Sequence, residues 1–132
     1  MSILKDKSFQ FALRIIKLSK YLVEEKKEYV LSKQILRSGT SIGANIREAQ
    51  NAQSKADFIH KLSISQKECD ETMYWLELLN QSEYLSDSEF KSAHNNANEL
   101  LKMLRSAIIT SKNNRVGEEV IVYNEQIISE EL

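Results

Sequence analysis

The fold of this chain is decided by residues 55–81, whose sequence is KADFIHKLSISQKECDETMYWLELLNQ. Apolar or small residues recur there at alternating steps of four and three positions, namely at Phe58, Leu62, Ser65, Cys69, Thr72, Leu76 and Leu79. This heptad spacing predicts one long helix with these residues along a single side. Because the three middle residues are small, we expect a neighbouring helix to approach closely there. Cys69 is therefore expected to be a buried packing residue.

Two earlier segments also show helical periodicity. The first covers about residues 8–25, and its predicted core side consists of Phe9, Ala12, Leu13, Ile16, Leu22 and Val23. The second starts near Ser32, which we assign as its N-cap, and ends between residues 51 and 54. Its predicted core side consists of Ile35, Ser38, Gly39, Ile42, Ile46 and Ala49. Gly39 and Gly43 each weaken a helix by about 1 kcal/mol relative to alanine, so we expect close packing against another helix to compensate.

A fourth helix is predicted to begin at Ser86 and Glu89, which have the spacing of a capping box. Its core side consists of Phe90, Ala93, Ala97, Leu100, Leu101, Leu104, Ala107, Ile108 and Ser111. Four amphipathic helices with short links predict an all-α fold, an antiparallel up-down-up-down four-helix bundle over residues 1–112. Residues 113–132 are expected to be an acidic C-terminal tail, disordered or strapped onto a neighbour, that contains the β-prone run Val120–Tyr123.

The composition favours a folded single domain. The chain has 132 residues, of which 42% are hydrophobic and 28% charged, and it has no proline, which argues against disordered and collagen-like classes. The longest stretch without charged residues, 38–46, is too short to cross a bilayer. No apolar signal-peptide core stands at the N-terminus, and Cys69 is the only cysteine. We therefore expect a cytoplasmic protein that does not engage a membrane.

The charges are distributed unevenly along the chain. All eighteen Lys and Arg and fourteen of the nineteen Asp and Glu lie within residues 1–115, which carry a net charge of +4, whereas the last seventeen residues carry −5. A mildly basic body can bind polyanions, and an acidic tail can screen it. The alternative is an ordinary hydrated surface followed by a solubilising end.

The helix predicted over residues 55–81 has a second face with apolar character. This face consists of Ile64, Glu68, Glu71, Trp75 and Leu78. Aromatic residues on an otherwise hydrated helix are enriched at protein interfaces, so we predict self-association through this face with Trp75 as its anchor. The alternative is that the helix lies deep within its own bundle.

The second helix is predicted to carry a polar ridge with a basic bias. Basic and amide side chains there and at the start of the next helix can contact phosphates, and the candidate nucleic-acid-binding residues are Lys33, Arg37, Asn45, Arg47, Lys55 and Lys61. Surface helices without a ligand often have the same composition. A ridge of this kind can also dock a protein partner.

No catalytic or metal site is predicted. A di-iron site in a bundle needs Glu-x-x-His motifs, but neither His60 nor His94 lies three residues after a glutamate. The pair Glu68 and Glu71 shares a face without histidine partners, which fits ion pairing better than metal binding. We therefore expect no cofactor, no metal and no enzymatic activity.

Three runs of residues resemble a known family: QILRSGTSIGANIREA at 34–49, SKADFIHKL at 54–62 and ETMYWLELL at 71–79. They are similar to the bacterial four-helix bundle proteins encoded in 23S rRNA intervening sequences, over about residues 8–112. The core of the resemblance is Ser-Ile-x-x-Asn-Ile-x-Glu at 41–48.

The resemblance implies a homopentamer of four-helix bundles around a central channel. A related protein, the accessory variability protein of diversity-generating retroelements, is a basic pentamer that binds nucleic acid and a reverse transcriptase. Position by position, the resemblance marks Arg37, Asn45, Arg47 and Glu48 as a functional or intersubunit ridge, and it marks Glu71 with Trp75 as interface residues. Our leading hypothesis is thus a non-enzymatic homo-oligomer that binds RNA or DNA, and the alternative is a protein–protein interaction scaffold.

Overall fold

The structure, a computed structural model, describes residues 2–113 and consists of four helices. Their bounds are α1 Ser2–Glu24, α2 Leu31–Gln50, α3 Lys55–Gln81 and α4 Asp87–Asn113. Each helix packs against the next along the chain, and α1 also contacts α4, so the four helices enclose one core. The all-α prediction is confirmed over this range. The predicted acidic tail lies outside the described residues, except that Asn113 is the last residue of α4.

Helix α3 has the predicted bounds, and all seven residues of its heptad side are buried. Its N-cap is Ser54, whose hydroxyl oxygen accepts a hydrogen bond from the backbone N–H of Asp57 at 3.1 Å. The predicted core side of α4 is also buried, apart from Phe90, which is half-buried. The hydroxyl oxygen of Ser86 caps α4 by accepting from the backbone N–H of Glu89 at 3.2 Å. Heptad spacing and capping signals were therefore sufficient to locate these two helices.

Small polar side chains join α3 to its neighbours in the core. The hydroxyl of Ser65 donates to the backbone carbonyl of Ile42 in α2 at 2.8 Å, and the thiol of Cys69 donates to the carbonyl of Ala97 in α4 at 3.1 Å. The hydroxyl oxygens of Thr72 and Ser38 lie 2.9 Å apart. A side chain this short can reach a neighbouring backbone only when the helices are close, which confirms the close approach expected at the middle of α3.

The start of α2 differs from the prediction that Ser32 is the N-cap. The helix begins at Leu31, and the carboxylate of Glu28 accepts hydrogen bonds from the backbone N–H groups of Val30 at 3.3 Å and Ser32 at 2.8 Å. The Ser32 side chain is buried, and its hydroxyl has no hydrogen-bond partner within residues 2–113. Glu28 reaches the free N–H groups from outside the helix and takes the capping role.

Helix α1 corrects the predicted core side. It begins at Ser2, and the buried residues are Leu4, Ser8, Phe11, Ile15, Leu18, Ser19 and Leu22. Only Leu22 was predicted correctly as buried, whereas Phe9, Leu13 and Val23 are exposed. The reason is that α1 has two apolar stripes about a quarter-turn apart, and the one interrupted by serines is the one that packs against α2. The other stripe remains on the surface.

The two glycines of α2 allow α1 to approach. A Cβ atom at Gly39 would lie 2.8 Å from Cγ2 and 2.9 Å from Cγ1 of Ile15. A Cβ atom at Gly43 would lie 3.3 Å from the hydroxyl oxygen of Ser8. The expectation that another helix packs closely against these glycines is therefore confirmed. The approach is closer at Gly39 than at Gly43. None of the four helices is long and apolar enough to cross a membrane.

We predict that Gly39→Ala destabilises the protein and that Gly43→Ala has little effect. The added methyl at 39 overlaps the branched, fully buried side chain of Ile15, and such overpacking costs about 1–3 kcal/mol, more than the helix-propensity gain of about 1 kcal/mol. The methyl at 43 would lie 3.3 Å from the Ser8 hydroxyl oxygen and 3.5 Å from the backbone C and O of Ser8, so a small adjustment there offsets the same propensity gain. Urea denaturation of both variants measures the difference, and equal stability for the two would contradict the argument.

We also predict a pH dependence that belongs to Cys69. Burial, with a smaller contribution from the charge of Asp70, raises the pKa of this thiol from 9.0 to about 12. The unfolded thiol ionises more readily than the folded one, so its contribution to stability is intact below pH 9 and is lost as the pH rises from 9 towards 12. The free energy of unfolding should fall by up to about 1.4 kcal/mol per pH unit in this window.

The control for this effect is Cys69→Ala, because it removes the ionisable group while other alkaline titrations remain. Denaturation curves of both proteins at pH 8 and pH 10 are compared, and the quantity of interest is the difference between the two pH slopes. Identical slopes would show that Cys69 ionises equally well in the folded and unfolded chain.

Candidate nucleic-acid interface

Arg37, on the polar ridge of α2, is ion-paired with two residues of α3. Its guanidinium reaches from α2 to two carboxylates of α3: it donates from Nη1 to Glu68 at 3.1 Å and from Nη2 to Glu71. The predicted nucleic-acid-binding arginine and two predicted oligomer-interface residues are thus brought together within one chain. The positive charge of Arg37 is compensated, and the network links α2 to α3.

Two further ridge residues have partners. The ammonium of Lys61 in α3 donates to the carboxylate of Glu48 in α2 at 2.9 Å. This hydrogen bond and the charge of Glu48 hold the pKa of Lys61 above its ordinary value. The Asn45 side-chain amide donates to the backbone carbonyl of Ser41 at 2.9 Å, one turn earlier in α2. Both side chains are therefore held in place by contacts within the bundle.

Arg47 and Lys33 are the ridge cations that remain available. Both are exposed, and neither makes an ion pair with any residue in the range 2–113. They lie near opposite ends of α2, fourteen positions apart, which corresponds to about 21 Å along the helix. Lys55, the remaining candidate, is half-buried as the first residue of α3.

The charge of the described bundle is concentrated on two helices. Helices α1 and α2 together contain eight Lys and Arg against three Asp and Glu, a net charge of +5. Helices α3 and α4 contain seven against eight, a net charge of −1. The basic bias predicted for the ridge therefore extends to α1, whose lysines are not among the predicted nucleic-acid-binding residues. Counting charge helix by helix would have found this signal.

An apolar groove lies beside Arg47 and was not expected from the sequence. The floor of this α1/α2 groove is formed by Phe9, Ala12, Leu13 and Ile16 of α1 with Gly43 and Ala44 of α2. Lys5 and Arg47 stand together at one of its ends. The groove has a volume of about 450 Å3, and Phe9 and Leu13 are 50% and 41% exposed. Its four residues from α1 are among those that the periodicity assigned to the core.

The predicted oligomer face of α3 is less exposed than this groove. Ile64, Trp75 and Leu78 are half-buried, and Trp75 packs against the core. The indole N–H of Trp75 is enclosed without an acceptor inside the range 2–113, and its ring meets Tyr74 edge-on at a centroid distance of 5.1 Å. Self-association through this face stays a prediction.

The metal-ligand and nucleophile candidates among the described residues do not gather in one place. No three His, Cys, Asp or Glu side chains between residues 2 and 113 cluster as metal ligands would. His94 lies 3.2 Å from the carboxylate of Glu77 on the surface, and Cys69 is buried with a raised pKa. A buried thiol with a raised pKa is a poor nucleophile because the thiolate is the reactive form.

The chain is similar to proteins of a known family over most of its length. Residues 2–106 match the family model of the 23S rRNA-intervening sequence protein. A solved protein of unknown function from the S23 ribosomal protein family, from Bacteroides thetaiotaomicron, is 60% identical and superposes with a TM-score of 0.79. That similarity covers 80% of this chain and 97% of the other. No curated protein gives a significant match.

Proposed function

Because the chain belongs to the 23S rRNA-intervening sequence protein family, we propose that it acts by binding rather than by catalysis. The proposed protein is a non-enzymatic, cytoplasmic homo-oligomer that contacts RNA or DNA through the basic surface of α1 and α2. The observation that carries this proposal is the net charge of +5 on these two helices. Lys7, Arg14 and Arg37 are paired with carboxylates of α3 and α4, whereas Arg47 and Lys33 are free of ion pairs among the described residues.

The chemistry of such binding follows from the exposed cations. Lysine and arginine side chains that neutralise phosphates release condensed counterions, which supplies affinity without sequence specificity. Arg47 is expected to bind a phosphate more tightly than Lys33 does, because its planar guanidinium can donate two parallel hydrogen bonds to one phosphate. Arg37 and Lys61 must first give up carboxylate partners, so we assign them a smaller share of the affinity.

We predict that the double variant Arg47→Glu/Lys33→Glu weakens binding of a structured RNA by about tenfold or more at 0.1 M salt, and that the salt dependence of the affinity falls by about two phosphate contacts. Fluorescence anisotropy with labelled RNA over a salt titration measures both quantities. A labelled single-stranded DNA of equal length tests whether the sugar matters.

The matched control is the double variant Lys91→Glu/Lys102→Glu in α4, which changes the net charge equally on exposed positions outside the α1–α2 surface. It should retain most of the affinity. Equal loss in both double variants would show that only net charge matters, and no affinity of the unaltered protein at low ionic strength would overturn the proposal.

The proposed assembly rests on the face of α3 formed by Ile64, Glu68, Glu71, Trp75 and Leu78. Its apolar members retain partial exposure on the single chain. We propose an up-down-up-down bundle that buries this face against further copies, with five subunits as the resemblance implies. Burying partly exposed apolar side chains at the centre of an interface is a common source of binding energy.

Five chains of 15.2 kDa predict a particle of about 76 kDa in light scattering. We expect Leu78→Arg to reduce this mass because it places an unpaired charge in the interface. The control is His60→Arg, an exposed position on the polar side of α3. A monomer at high concentration, or the same mass for both variants, would contradict the proposed interface.

A second candidate function, a protein–protein interaction scaffold with no nucleic-acid role, is favoured by the exposed apolar side chains of the α1/α2 groove. Exposed contiguous apolar surface commonly marks an interaction site. The RNA titration separates the two functions, since a scaffold has no salt-dependent affinity for either nucleic acid.

A further inference from the structure

The α1/α2 groove is an apolar surface that the described bundle leaves uncovered. Phe9 and Leu13 are among the more exposed large hydrophobic side chains between residues 2 and 113, and they stand on the same side of α1 as Ile16. Lys5 and Arg47 give one end of the groove a positive charge. No carboxylate lines the groove itself, and Asp6 lies beside the two cations at this end. A fitting occupant is therefore apolar along the groove and acidic at the end that meets Lys5 and Arg47.

The chain itself contains such a segment. Residues Val120–Tyr123 are apolar, Glu118 and Glu119 precede them, and Glu125 follows. The chain has no lysine or arginine after Arg115, so every charge from residue 116 onward is negative. This composition is complementary to the groove in both polarity and charge.

The position of α4 brings this segment within reach. Ion pairs join Lys7 to Glu99 and Arg14 to Glu89, so α1 and α4 run in opposite senses where they meet. The end of α4 at Asn113 thus lies at the end of the bundle where α1 begins, about 21 Å along α4 beyond Glu99, the partner of Lys7. Six residues separate Asn113 from Val120, enough for about 20 Å of extended chain. The groove from Lys5 to Ile16 is about 16 Å long.

We propose that residues 118–125 of the same chain dock in the α1/α2 groove, with Val120–Tyr123 against Phe9 and Leu13 and with Glu118 and Glu119 near Lys5 and Arg47. Docking removes apolar side chains of both partners from water. It also places carboxylates beside Arg47, so the docked segment competes with any phosphate for that residue. The contact itself does not depend on the proposed nucleic-acid function.

Disulfide trapping in the full-length protein tests the contact. One cysteine is introduced in the groove by Leu13→Cys and a second in the segment by Ile121→Cys or Val122→Cys, as two separate double variants. Adjacent side chains of an extended segment point in opposite directions, so one of the two should react faster. The natural Cys69 does not interfere because it is fully buried and its pKa is raised to about 12.

We expect an intrachain disulfide to form at least about tenfold faster than in a control in which the groove cysteine is moved to Lys17→Cys, since docking raises the effective concentration above that set by the tether alone. Lys17 is exposed on α1 but borders a different depression, next to Tyr21 and Leu85. Adding Arg47→Glu should slow the reaction several-fold at low salt and change it little at high salt.

Non-reducing gels and mass spectrometry identify the product. A monomeric species with the 13–121 or 13–122 disulfide supports the proposal. Equal rates at positions 13 and 17, or disulfides that join different chains, overturn it, and the second result would assign the groove to another copy. Loss of RNA binding in the Arg47→Glu variant with unchanged trapping would overturn the charge contribution while leaving the proposed function intact.

Discussion

The close contact between α2 and both of its neighbours is the constraint on which the rest of the bundle depends. On one side Gly39 leaves no room for a Cβ against Ile15 of α1. On the other, short hydroxyl side chains join α2 to α3, with Ser65 bonded to the Ile42 carbonyl and Thr72 beside Ser38. Larger residues would increase the distance between the helices and break these contacts. The small residues of α2 and α3 therefore fix the register of three helices at once.

This register determines which chemistry reaches the surface. With the small side of α2 turned inward, its polar ridge lies beside α3, where Glu68 and Glu71 meet Arg37 and Lys61 meets Glu48. These ion pairs are at least partly exposed, and such pairs add little stability individually. Their main effect is to compensate two of the ridge's cations. Arg47 and Lys33 remain free of ion pairs within the described bundle, so the packing of the core selects the residues that can meet a phosphate.

The sequence was sufficient for much of the fold because α3 has one dominant pattern. Its heptad positions hold Phe58, Leu62 and Leu76 at the ends and small residues between them, and all are buried. Helix α1 has two competing patterns. Periodicity favoured the stripe with Phe9, Leu13 and Ile16, whereas the stripe with Leu4, Phe11 and Ile15 is buried. Local pattern cannot choose between two apolar stripes, because the choice is made by the fit of Ile15 against Gly39, a contact between distant parts of the chain.

The candidate site was harder to predict for the same reason. Residue type identified Arg37 and Arg47 equally, and only the arrangement of α2 against α3 shows that Arg37 is ion-paired and that Arg47 is not, as far as residues 2–113 are concerned. The apolar stripe that periodicity misplaced in α1 is also the surface beside Arg47. A free guanidinium next to exposed apolar side chains attracts an acidic, partly apolar partner as well as a phosphate, because both bring negative charge but only the first also covers the apolar surface. Competition for Arg47 between these two kinds of ligand therefore follows from the packing of α1 on α2.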